Sequence, residues 1–194
     1  LADLPDGSKI GSGSLRRQSQ LLHHRPDLEL ADIRGNVETR LAKLDDSQYD
    51  AIVLAEAGLK RLGLADRITQ LIDSEIMLPA VGQGALGLET RADDDATRAA
   101  LAPLDHPETH MAVVAERTML AMLHGGCLAP IAAWGRIENQ ALVLTGRVLS
   151  VDGVHRIEVT ETAANQDGHA LGELVAQNLI NQGATKLIAS SRTP

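Results

Sequence analysis

His124-Gly125-Gly126-Cys127-Leu128-Ala129-Pro130 holds the single cysteine of the 194-residue chain. Glycines before a thiol allow positive φ or the close approach of another group. Such a loop can present Cys127 as a nucleophile or as a point of covalent attachment, with His124 close enough in sequence to serve as its base. A lone cysteine is also commonly a small buried apolar residue, since its surroundings decide its reactivity. The loop alone leaves both readings open. Arginine is the second chemical feature. The 18 basic residues divide into 14 Arg and 4 Lys. The guanidinium fork suits carboxylate or phosphate, although a GC-rich genome raises the same ratio. Arg16 and Arg17 follow Gly11-Ser12-Gly13-Ser14, and Arg34 and Arg40 flank Gly35-Asn36. A helix start with free N–H groups, serines and cations is an anion site in one reading. In the other, these are solvated arginines on a helix surface.

The elements that must carry these residues follow from periodicity. Lys9 to Ser14 reads as a short strand ending in a Gly/Ser turn. Leu15 to His24 reads as a helix with Ser12 or Ser14 as N-cap. Leu28–Ile33 alternates as a strand, and Val37 to Leu44 is helical. Tyr49–Ala55 is apolar enough for a strand covered on both faces. Glu56 to Leu64 is a short helix closed by Gly63. One or two helical turns over Arg67–Ile72 and a fourth strand, Glu75–Leu78, complete this half. Strand–helix alternation predicts an α/β unit with a parallel-rich sheet. Its strand-to-helix turns then lie together at one sheet edge, where ligands bind. That places Ser14, Arg16, Arg17, Arg34 and Arg40 around one crevice for a ligand with several carboxylates or phosphates.

Pro79, Gly82, Gly84 and Gly87 break the rhythm and mark a hinge or crossover, with a possible strand over Ala85–Thr90. A charged helix is expected over Asp94–Leu101. The later sequence reads differently. Pro107-Glu108-Thr109 opens a helix to Leu123. Ile131–Glu138, Ala141–Ser150 and Val154–Glu161 are three strands joined by compact turns at Asn139-Gln140 and Asp152-Gly153. His169–Asn181 is an amphipathic helix. The expected layout is an α/β unit over 1–84, a crossover and linker over 85–106, and a small α+β unit over 107–194. That last unit has three antiparallel strands with helices on one face.

A net charge of −8 argues against a general nucleic-acid binder. The seven histidines are scattered without metal-ligand spacing, so no metal is expected. No apolar run is long enough to span a membrane as a helix. The start, Leu1-Ala2-Asp3, lacks Met and a signal-peptide pattern, and reads as part of a longer chain.

Several motifs occur in order. They are Gly-Ser-Gly-Ser-Leu-Arg-Arg-Gln (11–18), Ile-Arg-Gly-Asn-Val-Glu-Thr-Arg-Leu (33–41) and Ala-Gly-Leu-Lys-Arg-Leu-Gly (57–63). Leu-Pro-Ala-Val-Gly-Gln-Gly-Ala-Leu-Gly (78–87), Ala-Glu-Arg (115–117) and Gly-Gly-Cys-x-x-Pro-Ile (125–131) follow. Together they closely resemble the porphobilinogen deaminase, or hydroxymethylbilane synthase, family over essentially the whole chain. The resemblance implies a transferase of tetrapyrrole and heme biosynthesis, cytoplasmic and usually monomeric. Such an enzyme joins four porphobilinogens into hydroxymethylbilane and releases ammonia at each addition. It implies a dipyrromethane cofactor in thioether linkage to Cys127. Ser14, Arg16, Arg17, Arg34 and Arg40 would then face the cofactor and substrate carboxylates, with Arg61 and Gln83 at or near the cleft. It further implies a periplasmic-binding-protein-like second domain at 1–84. The preceding domain, which carries the family's catalytic aspartate, would be a partner outside this chain. No catalytic residue is assigned within it, and the chain alone is expected to be inactive.

Two positions depart from the family pattern. Gly13 stands where a serine is usual, and His124 where Glu is frequent. The competing reading is a non-catalytic anion-binding α/β module, for which the Gly-Gly-Cys loop has no use.

Overall fold

The computed structural model describes residues 1–126, 129–164 and 167–191. The first half contains a parallel sheet of β1 (Lys9–Gly11), β2 (Glu29–Ala31) and β3 (Ala51–Ile52), in the order β2-β1-β3. Ile10 pairs with Leu30 on one side and Ala51 on the other. Helices α1 (Leu15–His24), α2 (Val37–Asp45) and α3 (Glu56–Arg61) each follow a strand. Asn36 caps α2 by accepting the Thr39 amide at 2.8 Å. Ile10, Leu21 and Leu28 form the buried centre, with Leu30, Val53, Ile72 and Met77 packed around it.

The second half contains the antiparallel sheet β4 (Ile131–Glu138), β5 (Ala141–Leu149) and β6 (Arg156–Ala163), in that order. Asn139 and Gln140 take positive φ values of 49° and 65° at the β4–β5 turn, as a two-residue hairpin requires. Before the sheet come α4 (Asp95–Leu101), a 3-10 turn and α5 (Pro107–Met122). After it come α6 (Gly168–Asn181) and α7 (Ala184–Ser190). The sequence reading did not anticipate α7. Side chains alternate across a strand. Leu142, Leu144 and Val148 of β5 therefore join Met119, Leu171, Val175 and Leu179 in one core. Gly168 and Gly172 let α6 lie directly on α5: a Cβ on Gly168 would stand 2.6 Å from Met111 O.

The stretch 68–94 departs from expectation, holding neither helix nor strand. A 3-10 turn at Ala65–Arg67 stands in place of the helical turns expected to Ile72. The strand expected at 49–55 shortens to two residues. The strand expected at 75–78 is absent because side chains take its backbone groups. Gln20 accepts from Leu78 N at 2.9 Å, and Arg16 donates to Leu78 O at 2.5 Å. Arg147 donates to Glu75 O and Ile76 O. The apolar alternation at 85–90 also forms no strand. No strand among the described residues lies beside it, and Leu86 remains 84% exposed.

The two halves meet directly. Val151 O accepts from Ser19 Oγ at 3.3 Å, and the His23 ring meets Gly153 O at 2.8 Å. Ala133 N donates to Pro79 O at 3.1 Å. The face of β5 away from the helices is thus covered near Arg147 and Leu149 by α1, where the sequence predicted cover on one face only. No helix among the described residues is long and apolar enough to cross a membrane.

Candidate functional site

Arg16 and Arg17 sit in the first turn of α1, after the β1 turn brings them to the C-terminal edge of the parallel sheet. Ser14 occupies the N-cap position, but its side chain makes no capping bond. Gly13 is needed there, because a Cβ would stand 2.9 Å from Ile33 O. The serine that the family resemblance leads one to expect at this position would have no room for its side chain unless the β2–α2 loop moved.

The two arginines open onto a pocket of about 510 Å³. Its apolar wall includes Ile52, Leu54, Leu59, Ile72 and Met77, and Gln83 stands at its margin. Arg16 is buried, donating Nη1 to Leu78 O at 2.5 Å and Nη2 to Gln83 Oε1 at 3.3 Å. Burial lowers its pKa from the ordinary value to about 10, helped by the neighbouring charge of Arg17. That is still well above neutrality, so the guanidinium stays a cation. Arg17 donates Nη1 to Val53 O at 3.0 Å. Its pKa is lowered first by burial and then by Arg40. Three like charges thus gather at one sheet edge, a costly arrangement that an anion relieves. Asp50 and Glu56 also line the pocket. Both are engaged elsewhere, Asp50 with the Lys9 amide at 2.7 Å and Glu56 with Lys60 at 2.5 Å.

The remaining anticipated residues lie further out. Arg40 is half-buried and donates Nε to Gly35 O at 2.8 Å. Arg34 points to solvent, 88% exposed, and pairs with Asp32 at 2.8 Å. That bond raises its pKa. Arg61 is exposed at the end of α3 and does not line the pocket. Cys127 lies outside the described residues. Of the described residues near it in sequence, Gly125 N donates to Leu120 O at 3.2 Å and Pro130 O accepts from Leu149 N at 3.1 Å. A Cβ on Gly125 would run into Ile131 and Leu120. Among the described residues no group of His, Cys, Asp and Glu stands close enough to hold a metal ion.

Residues 1–99 match the family model described as "Porphobilinogen deaminase, dipyromethane cofactor binding domain". Residues 110–181 match "Porphobilinogen deaminase, C-terminal domain". The chain belongs to the porphobilinogen deaminase family. It is 48% identical over 189 residues to the porphobilinogen deaminase of Syntrophotalea carbinolica, covering 97% of this chain and 60% of that protein. It is 47% identical to that of Geobacter metallireducens and 48% to that of Geobacter sulfurreducens, covering 97% of this chain and 59% of each. The chain therefore spans about three fifths of the length of these relatives.

Three further residues escaped the sequence reading. Glu116, inside the Ala-Glu-Arg motif, accepts from Gly82 N and Gly135 N and ties the glycine-rich stretch to β4. Gln20 is 1% exposed and binds both backbone groups of Leu78. Arg147 binds Gln20 from β5. An arginine inside Leu-Val-Leu-Thr-Gly-Arg-Val-Leu and a glutamine beside Leu21 were the available signals. Polar groups on otherwise apolar elements are buried with partners.

Proposed function

We propose that the chain forms part of a porphobilinogen deaminase and that the pocket beside Arg16 and Arg17 receives the carboxylates of a dipyrromethane cofactor. The observation that carries this reading is the pair of adjacent, desolvated guanidiniums on an apolar-walled pocket, in a segment matching the cofactor-binding domain model. The chemistry of the donor set fits the group. Pyrrole rings are flat and largely apolar, suiting Ile52, Leu54, Ile72 and Met77. Their acetate and propionate arms suit the arginines. Each charge-assisted bond to a carboxylate contributes about 1.5–3 kcal/mol. Bound there, the cofactor supplies the primer on which porphobilinogen units are added.

In this reading Arg16 and Arg17 hold carboxylates against the end of α1, where the helix dipole adds to their field. Gln83 keeps Arg16 directed at the pocket from the far side. Arg40 raises the positive potential, and Ser14 and Arg34 contact carboxylates nearer solvent. Arg61 and Gln83 are assigned to incoming porphobilinogen. Cys127 is assigned the thioether, since a thiolate is the nucleophile suited to an electrophilic pyrrole methylene. The proposed layout is a periplasmic-binding-protein-like unit at 1–84, a crossover at 85–106 and the cysteine-bearing unit at 107–194. The catalytic carboxylate is assigned to a preceding domain, as in the family, and to no acidic residue of this chain.

The full reaction converts four porphobilinogens to hydroxymethylbilane with loss of ammonia. Incubating porphobilinogen with the 194-residue chain and with the full-length enzyme tests the assignment. The full-length enzyme should form hydroxymethylbilane and the chain alone should not. Product from the chain alone would overturn the assignment of the catalytic group to another domain. An undiminished full-length Arg17→Gln enzyme would overturn the pocket.

A further inference from the structure

Arg147 lies on β5, in the half of the chain that does not line the arginine pocket, and is 3% exposed. Its Nη1 donates to Gln20 Oε1 at 2.8 Å and to Ile76 O at 3.1 Å. Its Nη2 donates to Glu75 O at 2.8 Å, and its Nε pairs with Glu158. The guanidinium thus holds the amide oxygen of Gln20 toward itself. Reversing that amide would set an NH2 group against a cation. The same oxygen accepts from Leu78 N at 2.9 Å. The Gln20 nitrogen donates to Leu78 O and to Arg16 O, both at 3.1 Å. Leu78 O also receives Arg16 Nη1 at 2.5 Å. Arg147, Gln20, Leu78 and Arg16 are all buried. Direct hydrogen bonds therefore run without interruption from the antiparallel sheet to a pocket guanidinium.

We propose that Arg147 is a positioning residue for the anion pocket, directing Arg16 through Gln20 and Leu78. The hold on pyrrole carboxylates then depends on how the antiparallel unit is seated. The inference rests on the pocket assignment made above. A residue that only joined the two halves would affect stability. A residue that acts through Arg16 affects ligand binding, and only while Arg16 is intact.

The test is a double-mutant cycle in the full-length enzyme, with Arg147→Met, Arg16→Lys and the pair combined. Steady-state kinetics with porphobilinogen, intact mass and Tm are measured for each. Arg147→Met should raise KM about five- to tenfold and leave kcat within about twofold. The fraction of protein carrying the covalent dipyrrole should fall. In the Arg16→Lys background the added Arg147→Met should change KM less than about twofold. A lower Tm with unchanged KM, or an undiminished effect in the Arg16→Lys background, overturns the proposal. Should Arg147→Met fail to fold, Gln20→Glu decides. It keeps oxygens for Arg147 and Leu78 N but loses the donor to Leu78 O. A raised KM supports the relay, and an unchanged KM overturns it. If Arg16→Lys alone changes neither KM nor dipyrrole content, the pocket assignment falls and this inference with it. If Arg16→Lys matters while Arg147→Met does not, only the positioning role falls.

Discussion

Glu116 Oε2 accepts a hydrogen bond from the Gly82 amide at 2.6 Å, joining α5 to the glycine-rich stretch. Its other oxygen takes the Gly135 amide at 2.7 Å, so one carboxylate fastens that stretch to both α5 and β4. Burial is the larger influence and raises its pKa above the ordinary 4.5, while the two amide bonds act in the opposite direction. The folded protein therefore takes up this proton more readily than the unfolded chain. The Glu116 contribution to stability should fall as pH rises from 4.5 through the folded value and level off above it. Glu116→Gln should remove that slope. It should also cost about 1–3 kcal/mol at neutral pH, because one amide loses its acceptor. Urea unfolding across a pH series reads both effects.

The arginines should divide by burial. Arg17 lines the pocket and spends one donor on Val53 O. Arg17→Gln in the full-length enzyme should weaken porphobilinogen use about tenfold or more in kcat/KM, the worth of one charge-assisted contact. Arg34 is solvated and already paired with Asp32. Arg34→Gln should cost about threefold or less, as exposed ion pairs contribute little. Kinetics at fixed ionic strength make the comparison.

Cys127 should carry the added mass. Intact-mass measurement of the full-length enzyme should show one dipyrromethane beyond the polypeptide. Cys127→Ala should show the bare chain. A modified Cys127→Ala protein would move the attachment elsewhere.

Gly172 should not tolerate a side chain. A Cβ there would press on Ala115 O and stand 2.7 Å from Thr118 Cβ, backbone and branch point of the facing helix. Alanine normally favours a helix by about 1 kcal/mol over glycine. Overpacking of α5 against α6 should outweigh that, so Gly172→Ala should lower stability by about 1–2 kcal/mol net. A shifted urea midpoint with unchanged slope would confirm it.

The sequence by itself determined the strand–helix alternation, the three-stranded hairpin sheet and the placing of arginines where β1 and β2 pass into helices. These are local matters: periodicity, turn residues and caps act over a few neighbours. The ordered motifs also determined the family. Tertiary structure decided which arginines share a pocket. Arg16 is buried and Arg17 half-buried beside it, whereas Arg34, with the same strand-to-helix position, turns to solvent and Asp32. It also decided that 75–78 is not a strand. Gln20, Arg16 and Arg147 satisfy that backbone in place of a neighbouring strand, and all three lie more than 50 residues away in sequence. A buried polar group must find partners, but which ones it finds depends on what the fold brings within about 3 Å. Periodicity carries no information at that range, so the links through Glu116 and Arg147 emerged only from the packed chain.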